Sequence, residues 1–271
     1  MIGMVKLFQL LLFVCILASC SEYQKVVKSD DYQMKFTVAN DMFDKSKYNK
    51  SIVLYEQIYQ NSPKTDQGQV SYYRLAKSYY NLKDYYMAGY YFNAFIQRFP
   101  YSSKVEESLF MVAMCSVKNS PEHHLDQEET NVAINNIQQF INEYPNSELV
   151  DSCNRIIDNL RNKIELKEFE AVKLYSKTES FKAAATSAQL FIENYPRSKY
   201  LEDAWAILVK NSFFLAKNSI SSKKRERYEQ SIERYRNFAS LFPNSVYVRE
   251  LKYIETNSEK ELNVLTNRKS E

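Results

Sequence analysis

Few residues in this chain have types and spacing that could do chemistry. The four cysteines are Cys15, Cys20, Cys115 and Cys153, and the two histidines, His123 and His124, stand side by side. The histidines lie in a polar stretch without convergent partners, so they read as surface residues and no metal ligand set is expected. No serine or cysteine has a base and an orienting group in readable positions, so no catalytic residue for nucleophilic chemistry is expected either. A phosphate-cradling loop needs glycine for its backbone geometry, and the chain has only Gly3, Gly68 and Gly89. Glu128-Glu129 suits the start of a helix, where carboxylates meet the positive end of the dipole. Lys223-Lys224-Arg225-Glu226-Arg227 reads as a solvated loop, with lipid headgroups or an acidic partner as the alternative. The expectation is a non-enzyme with no metal and no dissociable cofactor.

Cys20 is the exception. One early lysine, Lys6, precedes a nearly unbroken apolar run from Leu7 to Leu17, which ends in Leu17-Ala18-Ser19-Cys20. The run is shorter than the ~20 residues of a spanning helix and reads as a secretory signal to be removed. The cysteine after Leu-Ala-Ser resembles the lipobox of bacterial lipoproteins. The resemblance implies cleavage of residues 1–19, a lipid on the Cys20 sulfur and an acylated amino group; the alternative is a plain signal peptide with an incidental cysteine. Ser21 is not acidic, which by the same resemblance suits sorting to the outer membrane. Three acyl chains at ~0.8 kcal/mol per buried CH₂ would hold the protein on the membrane. Residues 20–31 then form a lipidated tether or an extended segment. Removal of 19 residues from 271 leaves 252, and loss of Lys6 takes the formal charge from +3 to +2. Such a balance gives no reason to expect nucleic acid. In an oxidising compartment Cys115 and Cys153 are free to bridge, but buried thiols are the expectation.

The elements that would position a binding surface are read from Tyr72 to Pro100. Tyr72, Leu75, Ala76, Tyr79, Ala88, Phe92, Phe95 and Pro100 fill the eight signature positions of the ~34-residue tetratricopeptide template, with Phe95 the looser match. Steps of three and four put the first four on one helical face and Ala88, Phe92 and Phe95 on the face meeting it. Small Ala76 and Ala88 allow close approach of the two axes. The stop signal then recurs as Phe99-Pro100-Tyr101-Ser102, Tyr144-Pro145-Asn146-Ser147, Tyr195-Pro196-Arg197-Ser198 and Phe242-Pro243-Asn244-Ser245. An aromatic closes each second helix, proline cannot continue it, and the serine is expected to cap the next helix. Asn61-Ser62-Pro63 is a weaker fifth.

These stops lay out an all-α solenoid of about five helix-turn-helix repeats with a C-terminal capping helix at about Val246 to Leu265. The prolines are 45, 51 and 47 residues apart after Pro100, so later repeats carry insertions. One is the polar loop Lys118 to Glu129. Another is a long helix over Glu148 to Tyr175, and a third is a basic loop around Ser219 to Arg227. The expected domains are an N-terminal half, 32–145, with three repeats, and a C-terminal half, 146–271, with two repeats and the cap.

The lipobox, the five repeats, the aromatic-Pro-x-Ser joints, and Ser120-Pro121 followed by Leu125-Asp126-Gln127, Thr130 and Ala133 together resemble the BamD family. These are the lipoproteins of the outer-membrane β-barrel assembly (BAM) machinery, and the resemblance covers essentially the whole mature chain. It implies a scaffold on the periplasmic face of the outer membrane. The C-terminal half would bind the periplasmic domains of a BamA-like barrel protein, and the N-terminal repeats would receive unfolded outer-membrane β-barrel proteins. The alternative is another tetratricopeptide lipoprotein of the envelope, serving cell-envelope organisation or polymer secretion.

Template position selects a candidate peptide groove. The first helix of each repeat lines the concave face, and its outward positions are Phe36, Asn40 and Phe43, then Tyr73, Lys77 and Tyr80. Aromatic faces with an amide and an ammonium between them can hold an extended apolar segment and bind its backbone or terminal carboxylate. Packing of some of these rings against neighbouring repeats is the competing expectation.

Overall fold

Repeated stop signals and short connections cut the chain into helices that pack on their sequence neighbours. The computed structural model describes residues 22–267. In order they form α1 (22–28), α2 (Tyr32–Asp44), α3 (Tyr48–Asn61), α4 (Asp66–Asn81), α5 (Tyr85–Arg98), α6 (Val105–Asn119) and α7 (Glu128–Glu143). There follow α8 (Val150–Lys177), α9 (Phe181–Asn194), α10 (Leu201–Lys217), α11 (Ser221–Leu241), α12 (Val246–Glu250) and α13 (Lys252–Asn267). The described residues contain no strand, and the architecture is the all-α helical repeat expected from the sequence.

The helix starts follow from capping chemistry. Asp31, Thr65 and Asp84 accept hydrogen bonds from the N–H groups of Met34, Gly68 and Met87 at 2.8, 3.1 and 3.2 Å, satisfying donors that have no partner inside the helix. The stops carry a ring pair as well as a proline. In each joint the aromatic N–H donates to the carbonyl four residues earlier, and its ring leans on that residue's ring. The centroids are 5.1 Å apart for Phe95–Phe99, 5.6 Å for Phe140–Tyr144, 5.0 Å for Phe191–Tyr195 and 5.5 Å for Phe238–Phe242. The four tight connections are thus one construction used four times.

The joint serines act differently from expectation. Only Ser245 stands at an N-cap; the α6 and α10 N-cap positions are Lys104 and Tyr200, two residues after Ser102 and Ser198. The physical reason is the extra turn that follows the proline, which delays the helix. The hydroxyls instead hold that turn and tie it to the preceding repeat. Ser198 accepts from the Tyr200 N–H at 2.9 Å and donates to Glu165 at 2.6 Å; Ser147 donates to Glu106 at 2.6 Å; Ser102 accepts from Gln69 at 2.8 Å.

The chain divides into two compact units between Asp158 and Asn159, within α8. In the first, Leu54, Tyr55, Ile58 and Leu75 form one buried cluster and Ala76, Ala88, Phe92 and Phe95 another. Ala76 and Ala88 are fully buried, as close helix approach requires. In the second, Phe169, Ala188, Phe191 and Leu208 form a core, and Val209, Tyr228, Phe238 and Ile254 continue it to the C-terminal end.

Three segments differ from their sequence expectations. Residues 22–28 are helical, because Tyr23, Val26 and Val27 share a face and pack on the α2–α3 cluster, with the Tyr23 hydroxyl donating to the Lys50 carbonyl at 3.0 Å. The basic run from Lys223 begins α11 rather than lying in a loop, since lysine, arginine and glutamate are strong helix formers. The terminal helix is broken at Leu251 into α12 and α13. Arg236 holds α13 to α11, donating to Glu255 at 2.7 Å and Glu259 at 2.9 Å. Both described cysteines, Cys115 and Cys153, are free and buried, and burial pushes the Cys115 thiol up to about 12.

Candidate functional site

Three first helices of the first unit, α2, α4 and α6, bring their side chains to one groove of about 340 Å³. Phe43 comes from the last turn of α2. Val70, Tyr73, Arg74 and Lys77 come from α4, with Gln69 beside them, and Glu107 from the first turn of α6. Lys104 precedes α6, and Phe95 reaches in from α5. This is within the size range of clefts that take a side chain or short peptide.

Tyr73 is the centre of the groove. It is only 8% exposed, and its ring meets Phe92 at 6.0 Å and Phe95 at 5.6 Å in edge contacts. Two ammonium groups flank the same ring, Lys77 at 5.6 Å and Lys104 at 5.5 Å from its centroid, a favourable placement against the ring's negative face. Both lysines also reach Glu107, at 3.1 and 2.9 Å. The Tyr73 hydroxyl faces that carboxylate yet has no hydrogen-bond partner of ordinary geometry among the described residues. Burial raises the Tyr73 pKa, and the carboxylate beside it raises it further. For Glu107 burial works upward, but the facing Tyr73 hydroxyl, hydrogen bonds from Lys104 and Lys77 and the Lys77 charge outweigh it, holding the carboxyl at about 2.

Arg74 forms the other wall. Its guanidinium lies 5.2 Å from the Phe43 ring centroid and donates to Asn40 Oδ1 at 2.9 Å, which also accepts from the Tyr55 hydroxyl at 2.8 Å. Asp44 approaches the same guanidinium at 3.8 Å. Burial pushes the Tyr55 phenol up to about 12, so it stays a proton donor to Asn40.

Of the residues selected by template position, Phe43, Tyr73 and Lys77 line the groove. Asn40 bears on it through Arg74. Phe36 packs with the α2–α3 cluster, and Tyr80 packs with the α4–α5 cluster, 5.3 Å from Tyr85. Cys20 lies outside the described residues. The sequence reading missed Gln69, Val70, Arg74, Phe95, Lys104 and Glu107. A signal for two of them was present: Lys104 and Glu107 sit three residues apart at the start of the third repeat's first helix, to which the outward positions were not extended.

The lining combines an apolar floor with three cations, Arg74, Lys77 and Lys104, against the single carboxylate Glu107. Such a site can hold a ring or aliphatic side chain and take a carboxylate or backbone carbonyl at its rim. Among the described residues there is no cluster of three or more histidine, cysteine or acidic side chains placed to hold a metal, and no helix is long and apolar enough to cross a membrane.

The family model described as YfiO, outer membrane lipoprotein, matches residues 29–225. The chain belongs to this family of outer membrane lipoproteins, the BamD family that its sequence resembles. No curated protein matches the sequence. Among solved structures, the TPR2AB-domain of yeast Sti1 in complex with pHSP90 is 13% identical, with a TM-score of 0.42 over 88% of this chain and 95% of that one. A TPR repeats protein from Bacteroides fragilis is also 13% identical, with a TM-score of 0.37 over 86% and 100%. A thermophilic TPR protein of Thermus thermophilus is 10% identical, with a TM-score of 0.32 over 84% and 98%.

Proposed function

We propose that the chain is a non-enzymatic scaffold of the β-barrel assembly complex, anchored through lipid on Cys20 at the periplasmic face of the outer membrane. Its first unit receives unfolded outer-membrane β-barrel proteins, and its C-terminal half binds a BamA-like barrel protein. Membership in an outer membrane lipoprotein family supports the location. The observation that carries the client reading is the groove centred on Tyr73, which has an apolar floor and a cationic rim.

Unfolded barrel strands alternate apolar and polar side chains, so every second residue can be offered to a ring-lined floor while main-chain groups remain free. Phe43, Val70 and Phe95 take the apolar side chain. Arg74, Lys77 and Lys104 take carbonyls or a terminal carboxylate. Glu107 holds the two lysines in place and repels a second carboxylate from the floor. The groove therefore selects for an apolar side chain with a carboxylate beside it, which is the chemistry of a chain terminus.

The test is affinity purification of the tagged, lipidated protein from mildly solubilised outer membranes, with partners identified by mass spectrometry. Recovery of a large barrel protein with repeated periplasmic domains is expected. Its absence, with other envelope proteins enriched instead, would replace this reading by that of another tetratricopeptide lipoprotein scaffold. For the client site, a fluorescent peptide of alternating aromatic and polar residues with a free C-terminus should bind the wild-type protein and lose about tenfold in affinity in Phe43→Ala with Lys77→Ala. Equal binding by the double variant would remove the groove from the proposal.

A further inference from the structure

The second unit contains a larger groove that the client reading does not use. Its main part, about 640 Å³, is lined from α8 by Phe169, Lys173 and Ser176, from α10 by Asp203, Ile207 and Lys210, and from the C-terminal end by Tyr247, Glu250 and Tyr253. It runs into a second hollow of about 550 Å³ through the shared residues Lys173, Ser176, Ile207 and Lys210, and that hollow adds Lys177 and Leu174. Both volumes fall within the ~300–1,000 Å³ of ligand-binding clefts.

The two ends differ in chemistry. At the first, Phe169 and Tyr200 stack at 4.5 Å, and the Tyr247 hydroxyl donates to Asp203 at 2.9 Å. Rings form the floor there, and the two carboxylates of this end, Asp203 and Glu250, favour an uncharged side chain of the ligand. At the other end three ammonium groups gather. Lys173 pairs with Glu170 at 2.9 Å and lies 5.7 Å from the Phe169 centroid. Lys177 and Lys210 are exposed, and neither has an ion pair among the described residues. Counting only the second hollow, Lys173, Lys177 and Lys210 face the single carboxylate Glu170. Leu174 beside them is 57% exposed.

Helical spacing accounts for the arrangement. Phe169, Lys173 and Ser176 recur at four and three residues along α8, and Asp203, Ile207 and Lys210 do so along α10, so each helix contributes one continuous stripe. Lys177 suits the C-terminal end of α8 through the helix dipole, but neither it nor Lys210 has an ion pair among the described residues to occupy its charge. They do complement a ligand that brings negative charge to one end and an apolar side chain to the other.

We infer that this groove is a second peptide-docking site, which takes an extended acidic segment of a partner protein, its carboxylates at Lys177 and Lys210 and an aromatic or aliphatic side chain on the Phe169–Tyr200 floor. The inference goes beyond the client reading, because it concerns a different unit and a ligand whose charge comes from acidic side chains rather than from a chain terminus. It stands whether or not a barrel protein is the partner.

The experiment uses the full chain in detergent and a fluorescein-labelled, acetylated and amidated heptapeptide with glutamates flanking a central phenylalanine and leucine. A matching peptide with glutamine for every glutamate is the charge control. Saturable binding of the acidic peptide is expected, at least tenfold tighter than its glutamine counterpart and weakening as salt rises. Lys177→Glu with Lys210→Glu should cost about tenfold or more, whereas Lys182→Glu, an exposed charge on α9 away from the groove, should leave binding unchanged. Ile207→Ala should weaken both peptides. Equal affinity for the two peptides, no binding up to millimolar concentration, or equal loss in K182E would overturn the inference. Thermal melts of the variants accompany the titrations, and because the charge reversals are at exposed sites, their folded state is expected to persist. Failure here with a barrel protein still recovered in affinity purification would leave the assembly reading standing.

Discussion

At Gly68 a single methyl group decides whether α4 can pass the turn before it. A Cβ there would lie 2.1 Å from the Ser62 carbonyl oxygen and 3.1 Å from its carbon, both backbone atoms that cannot swing aside. Gly68→Ala should therefore destabilise by about 2 kcal/mol or more, as overpacked sites do, read as a lower midpoint in urea. Gly89 is the comparison. Its added Cβ would sit 3.4 Å from the Cys115 Cβ, close to an ordinary contact, so Gly89→Ala should be neutral or stabilise by about 0.5–1 kcal/mol through helix propensity. A second residue-scale prediction concerns Glu107. Burial alone would raise its pKa, but Tyr73, Lys104 and Lys77 hold it at about 2, below the ordinary 4.5. A depressed carboxyl stabilises the fold at pH above its unfolded value, and that contribution is lost as pH falls from about 4.5 through 2. Carbon NMR of the Glu107 carboxyl should give a midpoint near 2 in the wild type. Lys77→Met with Lys104→Met should move it upward, and a midpoint unchanged in that variant would mean that the lysines do not set it.

Among the elements, the joints were the most legible part of the sequence, because proline and an aromatic at fixed spacing act locally. The ring pair four residues apart and the helix stop follow from side chains within one turn, so no knowledge of distant packing was needed. The serine's part was not legible in the same way. Its partners Glu106 and Glu165 lie 41 and 33 residues earlier, and only the folded repeat brings them near. Ser198→Ala removes the bonds to Glu165 and to the Tyr200 N–H at a partly buried site, and should cost about 1 kcal/mol in denaturant unfolding. A loss within error would assign the joint's strength to the ring pair and proline alone. The groove was half legible for a related reason. Template position on α2 and α4 found Phe43, Tyr73 and Lys77, while Phe95 on α5 and Glu107 on α6 join them only through the packing of those helices in the folded repeat. Phe36 and Tyr80 show the limit of such reading. One-helix periodicity places them on the outward side, but each packs, partly buried, against its own core cluster. The basic start of α11 is a similar case: charge suggested a loop, and propensity with the Arg225–Glu229 pair at 3.8 Å favoured helix.

For the whole molecule, the consequence of repeat construction is that stability is local. The packed helix pairs within each unit are sequence neighbours or next neighbours, from α2 with α3 and α4 to α11 with α12 and α13, with α13 also reaching back to α10. In such a chain each repeat is stabilised by its own core and by the faces it shares with adjacent repeats, so damage spreads only as far as those faces carry it. Phe92 on α5 and Phe238 on α11 are second-helix core residues of the two units, and both are fully buried. Truncating either to alanine removes an aromatic side chain from a closed core, a loss of about 3–5 kcal/mol. Hydrogen exchange then separates local from global unfolding. In Phe92→Ala the amides of α4 and α5 should lose protection first, with those of α10, α11 and α13 close to wild type; in Phe238→Ala the pattern should reverse. Uniform loss of protection in both variants would instead mean that the two units unfold as one cooperative block, and nearest-neighbour stacking would then be the wrong account of this chain. The same local character bears on function. If each unit holds its own groove on its own core, a charge reversal at Lys177 or Lys210 should leave client-peptide binding at Tyr73 unchanged, and the two grooves can be titrated separately on one molecule.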